Sequence, residues 1–429
     1  VSTFIARLFG LEADADRMAR SLKSELPLFD FKREFITRRV FKKGAQDRPT
    51  LAEYPSLDAR MRLMLSLAFP EALASDDVER ALAESLLTLM DLERLFSGSA
   101  GNLPPITPEQ AETLRAKWTG LRAALLSAPE GKEAFGSSLV TQGEDAAELQ
   151  SVRNLLSLAD RWTYARALHP EMKELFHKWP THRVPKPLVF DQLVQLERPD
   201  AAMPEATQGS EHHLRYRDGF KLTDPRGTQR EVMGEVDYCV ICHERQKDSC
   251  STGFVAKDPV AEGHSFKKNP LGIPLTGCPL DERISEAHVL KREGNPLASL
   301  AMVILDNPMC PGTGHRICND CMKACIFQKQ EPVNIPMVET AALTDVLSLP
   351  WGFEIYGLLT RWNPLNVRRP HALPYVGRNV LVVGMGPAGY TLAHYLLNEG
   401  FGVTGIDGLK IEPFADELVG RNGHALRPI

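Results

Sequence analysis

The chain has 429 residues, of which 43% are hydrophobic and 24% are charged, and its formal net charge is -5. This length predicts about three domains, and the composition is ordinary for a globular protein. The small negative charge argues against nucleic acid as a partner, because binding nucleic acid calls for a concentrated basic surface. The sequence contains no apolar run approaching the roughly 20 residues of a membrane-spanning helix.

The two ends of the sequence predict a fragment of a longer protein. Residue 1 is Val rather than Met, and residues 1–30 lack the basic-then-apolar pattern of a secretion signal. The C-terminus follows soon after a glycine-rich motif has begun. A missing N-terminal signal therefore says little about targeting.

Residues 1–200 are predicted to be a helical region, and no function is evident in them. Thr107 can cap the first amides of a helix and Gln110 can complete a capping box. The spacing of apolar residues predicts further helices over 77–96 and 145–161. We interpret three histidines of this region as surface or packing residues rather than ligands: His169, His177 and His182.

A polar, turn-rich stretch over 197–219 separates this region from residues 220–350, which contain all the cysteines. Apolar spacing in this second region predicts helices over 281–292, 296–306 and 336–349. Residues 351–377 include several Pro and Arg residues and are predicted to be a connector.

The eight cysteines, all between Cys239 and Cys325, indicate a metal site in a reducing, cytoplasmic environment rather than a disulfide framework. Their pattern is Cys239-x2-Cys242-x7-Cys250, Cys278-Pro279, and Cys310-x7-Cys318-x2-Cys321-x3-Cys325. Four soft thiolates that converge on one place suit a [4Fe–4S] cluster. Eight cysteines make two such clusters arithmetically possible.

Spacing alone leaves two other interpretations open. The two Cys-x2-Cys pairs would make an acceptable four-thiolate zinc site, built from Cys239, Cys242, Cys318 and Cys321. That arrangement leaves the other four cysteines without a role unless a second zinc is present. The cysteines could also be inert buried thiols.

The order of features from Cys278 onward is specific. It comprises Cys278-Pro279, a helical pair, Asn307-Pro308, Gly314 to Cys318, Cys321, Cys325, and Pro332 to Ile335. Over residues 235–410 this order resembles the N-terminal cluster domain of the glutamate synthase small subunit and of dihydropyrimidine dehydrogenase. The resemblance implies a mainly α, multidomain chain. A helical N-terminal region would precede an α-helical ferredoxin-like iron–sulfur domain and the start of a Rossmann-type α/β fold.

The resemblance also implies two [4Fe–4S] clusters with interleaved ligands. One cluster would be bound by Cys239, Cys242, Cys250 and the distant Cys325. The second would be bound by Cys278, Cys318 and Cys321, and the position matching the family's non-cysteine fourth ligand is Glu339. We favour the nearby Cys310 over Glu339 because thiolate is the softer iron ligand. An acidic residue at position 339 is also explained by its place in the first turn of a helix.

The spacing departs from the family pattern at the third ligand, where 27 residues separate Cys250 from Cys278. We expect this stretch to form an excursion near the first cluster. His243 and His315 lie beside proposed ligands, but enough cysteines are present to make either histidine an unneeded ligand.

An apolar run over 378–383 leads into Gly384-Met385-Gly386-Pro387-Ala388-Gly389. A helix is predicted over 390–399, and a second strand over 401–406 ends at Asp407. In this β-α-β context the glycines permit a tight turn, close approach of backbone to a pyrophosphate, and close helix–strand packing. Free amides at the helix start can bind phosphate, and Asp407 can accept hydrogen bonds from a ribose. Residues 378–429 are thus predicted to be an incomplete dinucleotide-binding domain.

In the resembled family the fold that follows the clusters binds FAD, and a later fold binds NADPH. We therefore expect FAD at residues 384–389 and NAD(P)H on a missing downstream domain. The predicted function is electron transfer within an NAD(P)H oxidoreductase, from flavin through two clusters to a partner subunit or domain. No catalytic side chain is expected in the fragment. The alternative is a zinc-stabilised interaction module with a non-redox nucleotide-binding fold.

Overall fold

The computed structural model describes residues 1–42, 48–99, 104–139, 144–172, 176, 178–194, 196–209, 226–256, 266–314 and 317–408. Helices dominate these residues, which confirms the mainly α class. Among the residues that the structure describes, none of the helices is both long and apolar enough to cross a membrane.

The helices of the first half are α1 (Ser2–Phe9), α2 (Glu12–Lys23), α3 (Leu26–Phe31), α4 (Tyr54–Ala68), α5 (Pro70–Ala74), α6 (Val78–Ser97), α7 (Pro108–Ser127), α8 (Pro129–Phe135) and α9 (Asp145–Leu168). A π-helical segment follows α3 directly, at Lys32–Val40, and short 3-10 turns lie at Leu51–Glu53 and Phe190–Gln192.

The helices of the second half are α10 (Gln229–Tyr238), α11 (Ser249–Thr252), α12 (Ile284–Arg292), α13 (Pro296–Asp306), α14 (Cys310–Thr313), α15 (Asp320–Lys323), α16 (Ile335–Leu347), α17 (Gly352–Arg361) and α18 (Pro387–Asn398). A 3-10 turn lies at Cys242–Arg245. Strands β1 (Leu196–Glu197) and β2 (Gln208–Gly209) pair antiparallel, whereas β3 (Asn379–Val383) and β4 (Gly402–Ile406) pair parallel.

The chain divides into two compact units. One is Pro27–Val184, whose helices surround a core that includes Phe35, Met61, Leu86 and Trp162. Within it the predicted capping box holds: Thr107 Oγ1 accepts from the Gln110 amide, and the Gln110 side chain accepts from the Thr107 amide. Capping of this kind satisfies helix-start amides that would otherwise lack partners. The predicted helices over 77–96 and 145–161 are confirmed as α6 and α9.

The other unit joins Val1–Leu26 to Pro185–Ile429. This division differs from the predicted helical region over 1–200, because the apolar side of α1 packs against the cysteine-containing part of the chain. Its core includes Ile5, Leu11, Leu297, Leu300, Val346 and Ile355. Sequence spacing located the helices but carried no information on which distant helix would cover them.

The central helices of this second unit agree with the sequence. The predicted segments 281–292, 296–306 and 336–349 appear as α12, α13 and α16. Pro296 and Pro336 lie in the first turns of α13 and α16, where a missing amide proton leaves no helical hydrogen bond unmade. In the sequence, α12 and α13 lie between Cys278 and Cys310, and α16 follows Cys325.

Candidate functional site

Four cysteines from three separate stretches of chain line one cavity: Cys239, Cys242, Cys250 and Cys325. These are the four residues that the resemblance assigned to the first cluster. The rest of the wall is mainly apolar, with Ile284, Phe327, Val333 and Ile335, and it also includes Ser285 and His288.

The backbone between the first two cysteines adopts an unusual conformation. Cys239 follows the last residue of α10, and its amide donates to the Glu235 carbonyl oxygen at 3.0 Å. Ile241 then has φ of 52°, in the left-handed region. A β-branched residue is an outlier there, and such strain concentrates at functional sites. This local turn brings Cys242 back to the cavity that Cys239 lines.

Backbone amides lie close to two of the cysteine sulfurs. The amides of Ile326, Phe327 and Val333 act to lower the pKa of the Cys325 thiol against the effect of burial, and the Ile241 amide does the same for Cys239. A neutral thiol is a weak acceptor. Amide donors to thiolate sulfur are instead characteristic of iron–sulfur sites, where they help to set the potential. The donor set therefore fits thiolates that bind iron.

Burial raises the pKa of each of the four thiols, that of Cys239 to about 11. The Cys250 thiol donates to Asp248 Oδ1 at 3.0 Å, which further favours its protonated form. A coordinated metal reverses this balance because its charge deprotonates a thiol outright. These four cysteines therefore need a nearby cationic centre if they are to be thiolates.

The cysteine side chains do not converge on a single point. Among the described residues, no group of three or more His, Cys, Asp or Glu side chains is placed to hold one metal ion. A zinc ion would draw its sulfurs to about 2.3 Å from one centre, whereas a cubane distributes its ligands over four irons. The cavity measures about 10 Å³, the space of about one water. Cysteine side chains would have to rotate outward to admit a cluster.

A second group of side chains surrounds Cys321. Burial, then the charges of Cys278, Glu282, Glu339 and Cys318, raise its pKa. The backbone amides of Glu282 and Leu280 act to lower the pKa of the Cys278 thiol, against the larger effect of burial. The Asp320 amide approaches the sulfur of the exposed Cys318 at 3.5 Å. Cys321 nevertheless packs in the same buried cluster as Cys239, Cys250, Cys278 and Cys325. Of the two Cys-x2-Cys pairs, only Cys239 and Cys242 line the cavity described above.

Glu282 is a residue that sequence reasoning missed. The residue is 7% exposed, and it lines a second small cavity, the acidic cavity, together with Glu339. Burial raises the pKa of both carboxyls, that of Glu282 to about 7. Asn307 Nδ2 donates to Glu339 Oε1 at 3.0 Å. An acidic residue four positions after Cys278 was visible in the sequence, but it could not be distinguished from an ordinary surface acid.

Cys310 lies in different surroundings from the other proposed ligands. It is buried in the apolar core that includes Ile5, Leu300 and Val346. Burial and the charges of Glu339 and Glu282 raise the pKa of its thiol. The charge of Glu339 therefore acts on both the Cys310 and the Cys321 thiols. The choice between Cys310 and Glu339 as a ligand remains a prediction.

One of the two histidines beside the proposed ligands is hydrogen-bonded within the protein. His243 Nδ1 makes a 2.7 Å hydrogen bond with Ser285 Oγ, so this ring nitrogen already has a protein partner. His315 lies outside the described residues.

The glycine-rich motif lies between parallel strands. Gly384 directly follows β3 and has φ of 92°, a conformation that favours glycine. Gly386 precedes α18, and a Cβ on Gly389 would lie 1.8 Å from the Gly384 carbonyl oxygen. Gly389 is thus required for the close approach of helix to strand. Pro387 and Ala388 form the first helical turn, which leaves the Ala388 amide free of a helical partner.

Asp407, just after β4, reaches back to this loop. Its carboxylate accepts hydrogen bonds from the amides of Met385 and Gly408. These contacts hold the carboxylate beside the glycine turn, at the strand end where a ribose would lie. Binding of a dinucleotide by these residues is untested and stays a prediction.

The start of α18 contacts α14, the short helix that begins at Cys310. The Tyr390 hydroxyl lies so close to Gly312, in α14, that a Cβ there would be 1.8 Å from it. Gly312 is two residues from Cys310. The helix that follows the glycine-rich turn therefore packs next to the segment that carries Cys310.

The fold and site define a mainly α chain with a cysteine-lined cavity and, farther along the chain, a β-α-β unit. The chain is 59% identical over 107 residues to the uncharacterized protein RP006 of Rickettsia prowazekii (strain Madrid E), covering 25% of this chain and 15% of that protein. It is 38% identical over 80 residues to RP005 of the same organism, covering 18% of this chain and 25% of that protein.

Similarity to an oxidoreductase subunit is also found. The chain is 30% identical over 136 residues to the glutamate synthase [NADPH] small chain of Mycobacterium tuberculosis (strain CDC 1551 / Oshkosh), covering 31% of this chain and 25% of that protein. The chain thus spans at most about a quarter of the length of these relatives. No family model matches it, and no solved structure is significantly similar. The similarity to the glutamate synthase [NADPH] small chain thus indicates a distant relation to oxidoreductases.

Proposed function

We propose that this chain is the electron-transfer segment of an NAD(P)H oxidoreductase that uses FAD and two [4Fe–4S] clusters. The observation that carries the proposal is the cavity shared by Cys239, Cys242, Cys250 and Cys325. Cys325 comes from a distant part of the chain, and a structural role for isolated thiols gives no reason for it to join the other three. A cluster with four thiolate ligands gives that reason.

Cys278, Cys318 and Cys321 are the proposed ligands of the second cluster. Glu339 is now the better candidate for the fourth ligand, because Cys310 packs in an apolar core with residues such as Ile5 and Leu300. The charge of Glu339 acts on both Cys321 and Cys310 and does not distinguish them. This preference is the reverse of the one drawn from ligand softness alone. Gly314 lies against both candidates, because a Cβ at this position would be 2.8 Å from the Cys310 carbonyl oxygen and 3.1 Å from Glu339 Oε1.

FAD is the proposed ligand of the glycine-rich turn. Gly384, Gly386 and Gly389 would admit its pyrophosphate, the Ala388 amide would donate to a phosphate oxygen, and Asp407 would accept from the ribose. The contact between Tyr390 and Gly312, two residues after Cys310, supports a flavin site close to the cysteine-containing part of the chain. A short separation would favour electron transfer between the flavin and a cluster.

The cofactors supply the redox chemistry: FAD takes up a hydride as two electrons, and the clusters carry electrons singly. The described residues would bind and orient these groups, and their packing would exclude water from the buried cysteines. We further propose that NAD(P)H binds outside this chain, that a partner subunit or downstream domain accepts the electrons, and that the protein is cytoplasmic. The relation to the glutamate synthase [NADPH] small chain supports this assignment.

Anaerobic reconstitution of the 429-residue chain with iron and sulfide tests the proposal. We expect about eight irons and eight sulfides per chain for two cubanes, with a broad visible absorption that bleaches on reduction with dithionite. When the same sample is titrated with FAD, flavin fluorescence should be quenched up to a ratio of one FAD per chain. A colourless protein that instead retains zinc after expression in metal-supplemented medium would overturn the redox assignment.

A further inference from the structure

His288, in α12, lies in the wall between the two small cavities. Its side chain lines both the cavity of the four cysteines and the cavity of Glu282 and Glu339. Only Ile284 and Ile335 share this position with it among the residues that line both cavities in the described structure. It is therefore the polar side chain of a wall that is otherwise apolar.

His288 also carries an unsatisfied polar atom. The residue is 2% exposed, and its Nδ1 has no hydrogen-bond partner among the residues that the structure describes. Buried polar atoms are nearly always paired, and an exception calls for an explanation such as a bound group. An imidazole ring carries at least one N–H donor whether it is neutral or protonated.

We propose that His288 donates a ring N–H hydrogen bond to a sulfur of the cluster bound by Cys239, Cys242, Cys250 and Cys325, whose cavity it lines, and thereby raises the potential of that cluster. This inference rests on the proposed function. A donor to cluster sulfur stabilises the reduced, more negative state and raises the potential of the cluster it serves. An electron should consequently favour this cluster over the second one.

Three substitutions test this role without relying on turnover: His288→Leu, His288→Gln and His288→Asn. Leu removes the donor and keeps the volume, whereas Gln and Asn place an amide N–H near the positions of Nε2 and Nδ1 respectively. The reconstituted chain is titrated potentiometrically, and reduced clusters are followed by electron paramagnetic resonance. For His288→Leu we expect the reduced-to-oxidised ratio of the first cluster to fall about tenfold at a fixed potential, equal to about 59 mV for one electron.

The matched control is Ser299→Ala. Ser299 lines the acidic cavity and is 1% exposed, but its hydroxyl already donates to the Ala287 carbonyl oxygen at 3.0 Å. It should leave both potentials unchanged. One of the two amide variants should restore the wild-type value, which identifies the donating nitrogen.

The outcomes separate this inference from the proposed function. Wild-type chain that binds no iron contradicts the proposed function itself. Wild-type chain with full iron and His288→Leu with unchanged potentials contradicts only the role of His288, and the partner of Nδ1 is then a water molecule. If His288→Leu fails to hold iron, Gln and Asn decide: the proposal requires their potentials to differ, and equal values overturn it.

Discussion

The backbone amide of Cys278 donates a hydrogen bond to the carbonyl oxygen of Cys250 at 2.9 Å. The 27 residues between them therefore leave and return at the same place. Phe254 repeats this closure, since its amide donates to the Leu275 carbonyl oxygen at 2.9 Å. The long insertion does not separate the two groups of proposed ligands. It begins and ends next to the hydrogen bond that joins Cys250 to Cys278.

Shortening this excursion should leave the cysteine groups intact. Residues 255–274 would be replaced by Asn-Gly, which suits a two-residue turn between paired strands. We expect iron content equal to that of the wild type and a change in unfolding free energy of about 1 kcal/mol or less, because loop-closure entropy varies slowly with length. Iron analysis and urea unfolding measure the two effects. Loss of iron would show that the insertion contributes to the site.

Cys325→Ala tests the distant ligand of the first group. If Cys325 closes that cluster, its loss should lower iron from about eight to about four per chain, because three thiolates hold a cubane poorly. Cys318→Ala should have a similar effect through the other cluster. The double variant should then approach zero iron. Retention of about eight irons by Cys325→Ala would remove this residue from the ligand set.

Glu339→Ala and Cys310→Ala form a matched pair for the fourth ligand of the second group. We expect Glu339→Ala to lose up to about four irons and Cys310→Ala to keep all of them. Cys310→Ala should instead cost about 1 kcal/mol or more of stability, because it leaves a cavity in an apolar core. Iron analysis with thermal unfolding distinguishes the two effects. The reverse pattern would restore Cys310 as the ligand.

Two glycines of the nucleotide motif should respond differently to alanine. A Cβ on Gly389 would lie 1.8 Å from the Gly384 carbonyl oxygen, so Gly389→Ala should displace α18 and cost about 1–3 kcal/mol. A Cβ on Gly386 meets no described atom within 4 Å, and its φ is -71°. Gly386→Ala should therefore keep wild-type stability.

Gly386→Ala should weaken nucleotide binding while it leaves the stability of the protein unchanged. A methyl group at this position occupies the path by which pyrophosphate approaches the backbone. We expect FAD affinity to fall at least about tenfold, a loss of about 1.4 kcal/mol. Fluorescence titration measures it, and Gly408→Ala, also without a described neighbour within 4 Å, is the control. Equal affinities in all three proteins would place the flavin elsewhere.

His182 should make the Pro27–Val184 unit sensitive to acid. Its ring is buried against Phe176 and Trp179, and Thr181 Oγ1 lies 2.8 Å from its Nδ1. Burial, with a smaller effect of Arg166, lowers its pKa to about 3 from an ordinary value of 6.5. Between pH 6.5 and 3 the unfolded chain binds a proton that the folded chain excludes. Stability is therefore complete above pH 6.5 and falls as the pH drops through this window.

His182→Phe should flatten this acid dependence. The wild type should lose about 2 kcal/mol more than the variant between pH 7.5 and 5, at about 1.4 kcal/mol per unit of pH below the unfolded pKa. Urea unfolding at the two pH values measures the difference, and comparison within each protein cancels the constant cost of the substitution. Parallel pH profiles would contradict the prediction.

The sequence by itself determined the local structure and the grouping of the cysteines. Apolar spacing and capping residues placed α6, α7, α9, α13 and α16, because helix formation depends on residues within a few turns of each other. Feature order, read as a family resemblance, joined Cys325 to Cys239, Cys242 and Cys250, and the structure brings these residues to one cavity.

Only the tertiary structure decided which distant side chains meet. It packed α1 with the cysteine-containing unit, placed Cys310 in an apolar core, and brought Glu282 and His288 to the cavities. An acid or a histidine on a helix has the same local pattern whether it faces solvent or a buried site. Its surroundings depend on the packing of segments far apart in the chain, and that packing also determines its burial and pKa.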